Sequence, residues 1–207
     1  LELPEGMALL VGRQNGESVT FEIPQGITLT TRQNVHVYDN ARILNNYVFN
    51  IAGTATVYGG GTLENNNELA VTETGSLTFE DGAVYQGEGY AAFLFKTPEE
   101  HGKVSGIGME KLTVVNPYAT TQEDIQATLD FAQENGCGEV CVFPQGDITL
   151  NQNLIIPANA HLQSHGVFTV PENVTVTNNG DFYFSNQMVL NGKWVGNAPY
   201  GAGSITG

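Results

Sequence analysis

From Gly26 onward, apolar residues recur in pairs two positions apart: Ile27/Leu29, Val35/Val37, Ala41/Ile43, Phe49/Ile51, Ala55/Val57, Leu63 with polar Asn65, Leu69/Val71, Leu77/Phe79 and Ala83/Tyr85. Successive pairs begin 8 or 6 residues apart, in alternation. A period of two buries one face of a strand. Turn formers fill the gaps, as in Tyr38-Asp39-Asn40, Asn45-Asn46, Asn65-Asn66-Asn67 and Glu80-Asp81-Gly82. The rhythm returns in the second half as Ile148/Leu150, Leu154/Ile156, Ala160/Leu162, Phe168/Val170, Val174/Val176, Phe182/Phe184 and Met188/Leu190. Strands this short cannot each bury a face alone; stacked coil upon coil, they can. The pattern predicts an all-β chain, a duplicated parallel β-solenoid.

Two pairs per coil would make a coil of about 14 residues, three about 21. A two-sided coil leaves a thin interior, and Phe49, Phe79, Phe168, Phe182 and Phe184 are large, which favours three faces. The halves also resemble each other. Pro24-Gln25-Gly26 returns as Pro144-Gln145-Gly146, and from Gly61 a gapless match runs at an offset of 105, setting Val71, Gly75 and Phe79 against Val176, Gly180 and Phe184. Residues 1–95 form the first expected copy, 96–120 a connecting segment and 121–207 the second copy.

Between the halves the period changes. Phe93-Leu94-Phe95 and Leu112 to Val115 read as strands around a polar loop, Thr97–Lys103. Thr121 to Asp124 is a capping signal; Ile125, Leu129 and Ala132 follow at helical spacing, and Gly136 supplies a stop. One amphipathic helix is therefore expected at about 121–135, as a cap for exposed strand edges.

The run Asp124 to Gln133, then Gly138-Glu-Val-Cys-Val-Phe-Pro-Gln-Gly-Asp-Ile-Thr-Leu150, then Leu154 to Leu162, resembles the opening of pectin-lyase-like right-handed parallel β-helices. The resemblance covers about residues 120–163. It implies a right-handed β-helix whose first coil is capped by a short helix. The superfamily includes polysaccharide lyases, hydrolases and non-catalytic surface domains, so fold alone does not fix function.

Chemistry is sparse. The polygalacturonase resemblance would imply Asn-Thr-Asp, Asp-Asp, Gly-His-Gly and Arg-x-Lys motifs, and none occurs; Ser164-His165-Gly166 is the nearest echo. Lyase chemistry in that superfamily uses an Arg base beside calcium, and Arg32 and Arg42 are the coil arginines. Glu73, Glu80, Asp81, Glu88 and Asp147 could offer oxygens to calcium, but no Asp-x-Asp-x-Asp series holds them, and solvated turn carboxylates are the better reading. His36, His101, His161 and His165 show no ligand spacing. No metal, cofactor or catalytic residue is assigned. Aromatic side chains that stack on sugar faces are the remaining candidates: Trp194, Tyr200, Tyr85 and Tyr90, near the ends of the two copies, set against the blander role of capping the last coils.

Charge narrows the partners. Seven basic residues against 22 acidic give a net of −15, and the basic ones are scattered, which excludes nucleic acid and anionic membrane surfaces. Insertion in a membrane is not expected, since no apolar run reaches spanning length. Cys137 and Cys141 are too few for a disulfide framework and are expected unpaired, with one packed. The expectation is a non-catalytic module of an exported or cell-surface protein, structural, adhesive or glycan-binding, with polysaccharide or another copy of itself as partner. The alternative is a divergent lyase or glycoside hydrolase acting on acidic polysaccharide.

Overall fold

The computed structural model describes residues 1–4, 6–13 and 16–207, and the chain is a parallel β-solenoid of about nine coils. Every strand pairing described is parallel and joins a strand to its counterpart one coil away. Two compact units divide the chain: Leu1–Leu94 with Glu100–Leu112, and Phe95–Glu99 with Thr113–Gly207.

The first unit has three faces per coil. One stacks Leu9–Val11, Val35–Val37, Thr54–Val57, Ser76–Phe79 and Lys103–Ser105; the next stacks Val19–Ile23, Ala41–Asn45, Thr62–Asn65 and Val84–Gln86; the third stacks Thr28–Thr31, Val48–Ile51, Glu68–Val71 and Tyr90–Leu94. Phe49 pairs with Leu69 and Leu63 with Tyr85, so these coils advance by 20 to 22 residues, while Leu9 pairs with Val35 and Ser76 with Lys103 across longer turns. The thicker three-faced interior accommodates the phenylalanines.

Alternation explains the burial. Phe49, Ile51, Ala55, Val57, Leu69, Val71 and Leu77 all point inward and are buried, while the residues between them face out. Each large apolar side chain so buried contributes about 1.5–3 kcal/mol. The expected pair Ile27/Leu29 is corrected: Ile27 is exposed and the inward pair is Leu29 with Thr31. The strand starts at Thr28, and an apolar residue in the preceding turn mimics the period. At the other end of the series, Ala83 and Tyr85 are only half-buried.

Asn45, expected as a turn residue, and Asn65, expected as the polar partner of Leu63 beside a turn, are fully buried at inward positions. They stand one coil apart in register, and Nδ2 of Asn45 donates to Oδ1 of Asn65 at 2.7 Å and to the Glu68 carbonyl at 2.7 Å. Asn65 donates onward to the Tyr90 carbonyl at 3.0 Å. This asparagine ladder satisfies carbonyls where the chain turns a corner inside the core. Above Asn65 the ladder stops at Gly87, whose φ is +100° and where a Cβ would lie 2.1 Å from the Asn65 carbonyl oxygen.

In the second unit the faces are Thr113–Asn116, Glu139–Val142, Ala160–Ser164, Asp181–Phe184 and Tyr200–Gly201; Ile148–Thr149, Val167–Val170, Gln187–Leu190 and Ser204–Thr206; and Leu154–Ile156, Thr175–Asn178 and Lys193–Gly196. Helix α1, Gln122–Asn135, packs on Thr113–Asn116 and Glu139–Val142. Thr121 caps it through a reciprocal box with Asp124, and Gly136 ends it in the left-handed conformation. Ile125, Leu129 and Ala132 are buried, as the spacing predicts. Buried polar groups also hold the helix. Asn116 donates to Oγ1 of Thr128 at 2.7 Å, and the Gln122 amide accepts from the Asn151 backbone at 2.7 Å and donates to the Gln152 carbonyl at 2.9 Å.

Candidate functional site

The four aromatic candidates lie in unlike surroundings. In the first unit, Tyr85 is half-buried, meets Phe79 edge-on at 5.7 Å, and has its phenol pushed up by burial. Its hydroxyl accepts from Nδ2 of Asn65, which also donates to the Tyr90 carbonyl. Tyr85 is thus tied to the core ladder, whereas the Tyr90 side chain is exposed. In the second unit, Trp194 meets Phe182 edge-on at 5.2 Å, and its Nε1 donates to the Asn197 carbonyl at 2.7 Å. The indole therefore covers the last coils' core. Tyr200 is 53% exposed and meets Tyr183 at 5.6 Å. Phe182 and Tyr183 are adjacent in one strand and point to opposite sides, so Trp194 and Tyr200 do not share a platform.

Tyr200 instead belongs to an outer face that coil register assembles. Gln163, Tyr183 and Tyr200 form one outward column. Cys141, His161 and Asp181 form the column beside it. His161 Nδ1 and Asp181 Oδ2 lie 3.0 Å apart, with both side chains about half exposed (47% and 52%). Past the strand end, the amide of Gln163 donates to Nε2 of His165 at 3.0 Å, and Nδ1 of His165 meets Oγ of Ser185 at 2.9 Å. Columns stand two residues apart, ~6.6 Å, and rungs ~4.8 Å. Aromatic rings, an amide, a histidine–carboxylate pair and a hydroxyl therefore share one exposed patch.

The same geometry argues against nucleophilic catalysis there. An amide nitrogen can only donate, so Nε2 of His165 accepts and Nδ1 carries the proton toward Ser185. A serine activated by histidine requires the opposite arrangement, a ring nitrogen that takes the hydroxyl proton. The Cys141 thiol is pushed up by burial and by the Glu139 charge, the reverse of an activated thiolate. Among the described residues no group of three or more His, Cys, Asp or Glu side chains is placed to hold a metal ion.

Elsewhere the charged candidates are paired. Arg42 meets Glu64 at 3.1 Å, and Gln86 donates to Glu64 at 2.6 Å; these bonds, Gln86 first, hold the Glu64 carboxyl below its ordinary value. Arg32 meets Glu2 at 2.6 Å beside an open groove of about 570 Å³ lined by Glu2, Leu3, Pro4, Arg32 and Gln33. Asp147 accepts from the Val167 backbone at 2.8 Å. Buried Ser164 donates to the Gly166 carbonyl, so the Ser-His-Gly stretch splits between core and surface. Cys137 and Cys141 are both unpaired, and burial pushes the Cys137 thiol up to about 11.

A second aromatic group was not singled out from sequence. In the first unit, Tyr38 and Tyr58 stack with ring centroids 5.0 Å apart and planes within 3°, and the Tyr58 hydroxyl meets Nδ1 of His36 at 3.1 Å. Their 20-residue spacing is the signal that finds them once coil length is known. No helix among the described residues is long and apolar enough to cross a membrane. No protein family, curated protein or solved structure matches the chain.

Proposed function

We propose that this chain is a non-catalytic β-solenoid module of an exported or cell-surface protein, of the general kind found among pectin-lyase-like right-handed β-helices, displaying its coil faces for adhesion or glycan binding. One observation supports this most. Its outward polar side chains are bonded to each other along the coils instead of converging on a reacting centre. Asn46 donates to Glu22 at 2.9 Å, Asn66 donates to Asn46 at 3.0 Å, and Glu64 accepts from both Arg42 and Gln86. Carboxylates held this way stiffen a surface and are withdrawn from acid–base work. Sparse charge and abundant neutral polar residues suit a surface that meets carbohydrate.

A divergent hydrolase or lyase is the second reading, and the exposed His161–Asp181 pair is what favours it. Incubation with polyuronates and neutral polysaccharides, with product followed as reducing ends and as unsaturated uronates, separates the two. The module reading expects no product above the buffer rate. Turnover abolished by Asp181→Asn or His161→Ala would overturn it.

A further inference from the structure

We propose that the outer face built on Gln163, Tyr183, Tyr200, His161 and Asp181 binds a flat, uncharged, β-linked glycan chain. This rests on the module reading above and names the ligand class of its face.

Ring availability is the first ground. Tyr38 and Tyr58 stack in parallel, so each covers a face of the other. Tyr183 and Tyr200 meet at 68°, an edge-to-face contact, and Tyr200 is the more exposed of the two. An edge-to-face pair leaves a ring face open for the C–H side of a pyranose.

Hydrogen-bonding capacity is the second ground. Nδ1 of His161 lies 3.0 Å from Oδ2 of Asp181, which leaves the ring's Nε2 and the second carboxylate oxygen of Asp181 to meet a ligand. Gln163 adds a carbonyl oxygen in the next column, and the two tyrosine hydroxyls add donors. A sugar carrying several hydroxyl groups can meet such a mixed set without any charge of its own.

Charge is the third. The chain as a whole carries −15, yet residues 182–207 contain no Asp or Glu and one lysine, Lys193. Asp181 is the one carboxylate among the five residues of the face, and no Lys or Arg is among them. This part of the surface therefore lacks the cationic groups that a polyuronate would require, and it does not depend on bridging calcium. The face is also an exposed sheet of stacked strands, matching a ribbon-like chain with equatorial hydroxyls better than a coiled one.

Isothermal titration of the intact chain with cellohexaose, maltohexaose and oligogalacturonate, each with and without EDTA, tests this. Cellohexaose is expected to bind, unaffected by EDTA and at least tenfold more tightly than the other two. Tyr200→Ala and Tyr183→Ala should each weaken it about tenfold, and Asp181→Asn by a smaller factor, with the circular dichroism unchanged. Trp194→Phe and Tyr38→Ala should leave binding as it was. If cellohexaose does not bind at millimolar concentration, if it binds equally to Tyr200→Ala, or if oligogalacturonate is preferred, the proposal is overturned. Reducing ends measured in the same samples report separately on the module reading: release of product defeats that reading, whereas absent binding defeats only the assignment of this face.

Discussion

The asparagine ladder offers a quantitative test of how these coils hold together. Asn45 and Asn65 share one hydrogen bond of 2.7 Å inside the core, and each has other partners: the Glu68 carbonyl and the Tyr47 backbone for Asn45, the Tyr90 carbonyl and the Tyr85 hydroxyl for Asn65. Asn65→Ala removes the acceptor of Asn45 and the donor to Tyr90. A buried hydrogen bond contributes about 1 kcal/mol net, and a stranded buried group costs about 1–3 kcal/mol. The expected loss is therefore about 3 kcal/mol for Asn65→Ala, and about the same for Asn45→Ala. The double variant should lose about 1–2 kcal/mol less than the sum, because the shared bond can be broken only once. Urea unfolding of the four proteins, read by tyrosine fluorescence and far-ultraviolet circular dichroism, measures that coupling. Coupling within about 0.5 kcal/mol of zero would mean that the two side chains act independently, and the ladder would then not be a stabilising unit.

Other expectations follow from neighbouring features. In the second unit, Oδ1 of Asn178 is buried without a partner, and the residue one coil below it is Ile156. Asn placed at 156 would stand under Asn178 as Asn45 stands under Asn65, so Ile156→Asn should cost about 1–2 kcal/mol less than Leu154→Asn on the same strand, measured by thermal unfolding. At the helix cap, burial alone would raise Asp124, but hydrogen bonds from Thr120 and Thr121 outweigh it and hold the carboxyl below its ordinary value. A folded value below the unfolded one gives stability that is present above the unfolded pKa and is lost as pH falls through the folded one. Asp124→Ala should therefore cost about 1 kcal/mol at neutral pH, with the difference from wild type narrowing below pH ~4 in acid titrations followed by circular dichroism. Cys141 should alkylate with iodoacetamide more slowly than a free thiol at pH 8, and faster in Glu139→Gln, since burial and then the Glu139 charge raise its pKa; equal rates in the two proteins would remove Glu139 as a cause.

The coil architecture was legible because a one-sided strand has an unmistakable period of two, and helix α1 because Thr121, Asp124 and Gly136 are chemically specific ends. Thr31 and Ile27 show where the period misleads. A polar residue took the inward position, and an apolar one sat in the turn. Asn45 was hidden for a related reason, since asparagine beside asparagine reads as a solvated turn until a partner one coil away is known, whereas Asn65 already stood in the series as the polar partner of Leu63. The outer face was the least legible part. Cys141, His161 and Asp181 are 20 residues apart, and nothing local in the sequence unites them. Once coil length is fixed, the spacing becomes a column, and the scattered histidines acquire neighbours. Tyr200 was recognisable as an aromatic near the end of a copy, but its companion Tyr183 and its separation from Trp194 depend on which side of the strand each side chain leaves.

Gly196 completes a parallel with the first unit. It lies over Asn178 with φ +91°, and a Cβ there would approach the Asn178 carbonyl oxygen to 2.1 Å, as Gly87 does over Asn65. In both places a coil passes a buried asparagine so closely that only glycine fits, a joint signature of corner and ladder that links sequence to packing.

On the function proposed above, this solenoid recognises carbohydrate without transforming it. A glycan array probed with and without calcium, run together with reducing-end and unsaturated-product assays on the same glycans, tests it most directly. Calcium-independent binding of neutral β-linked chains, with no product formed, is the expected result. Product release from any glycan, or binding confined to polyuronates in the presence of calcium, would contradict it.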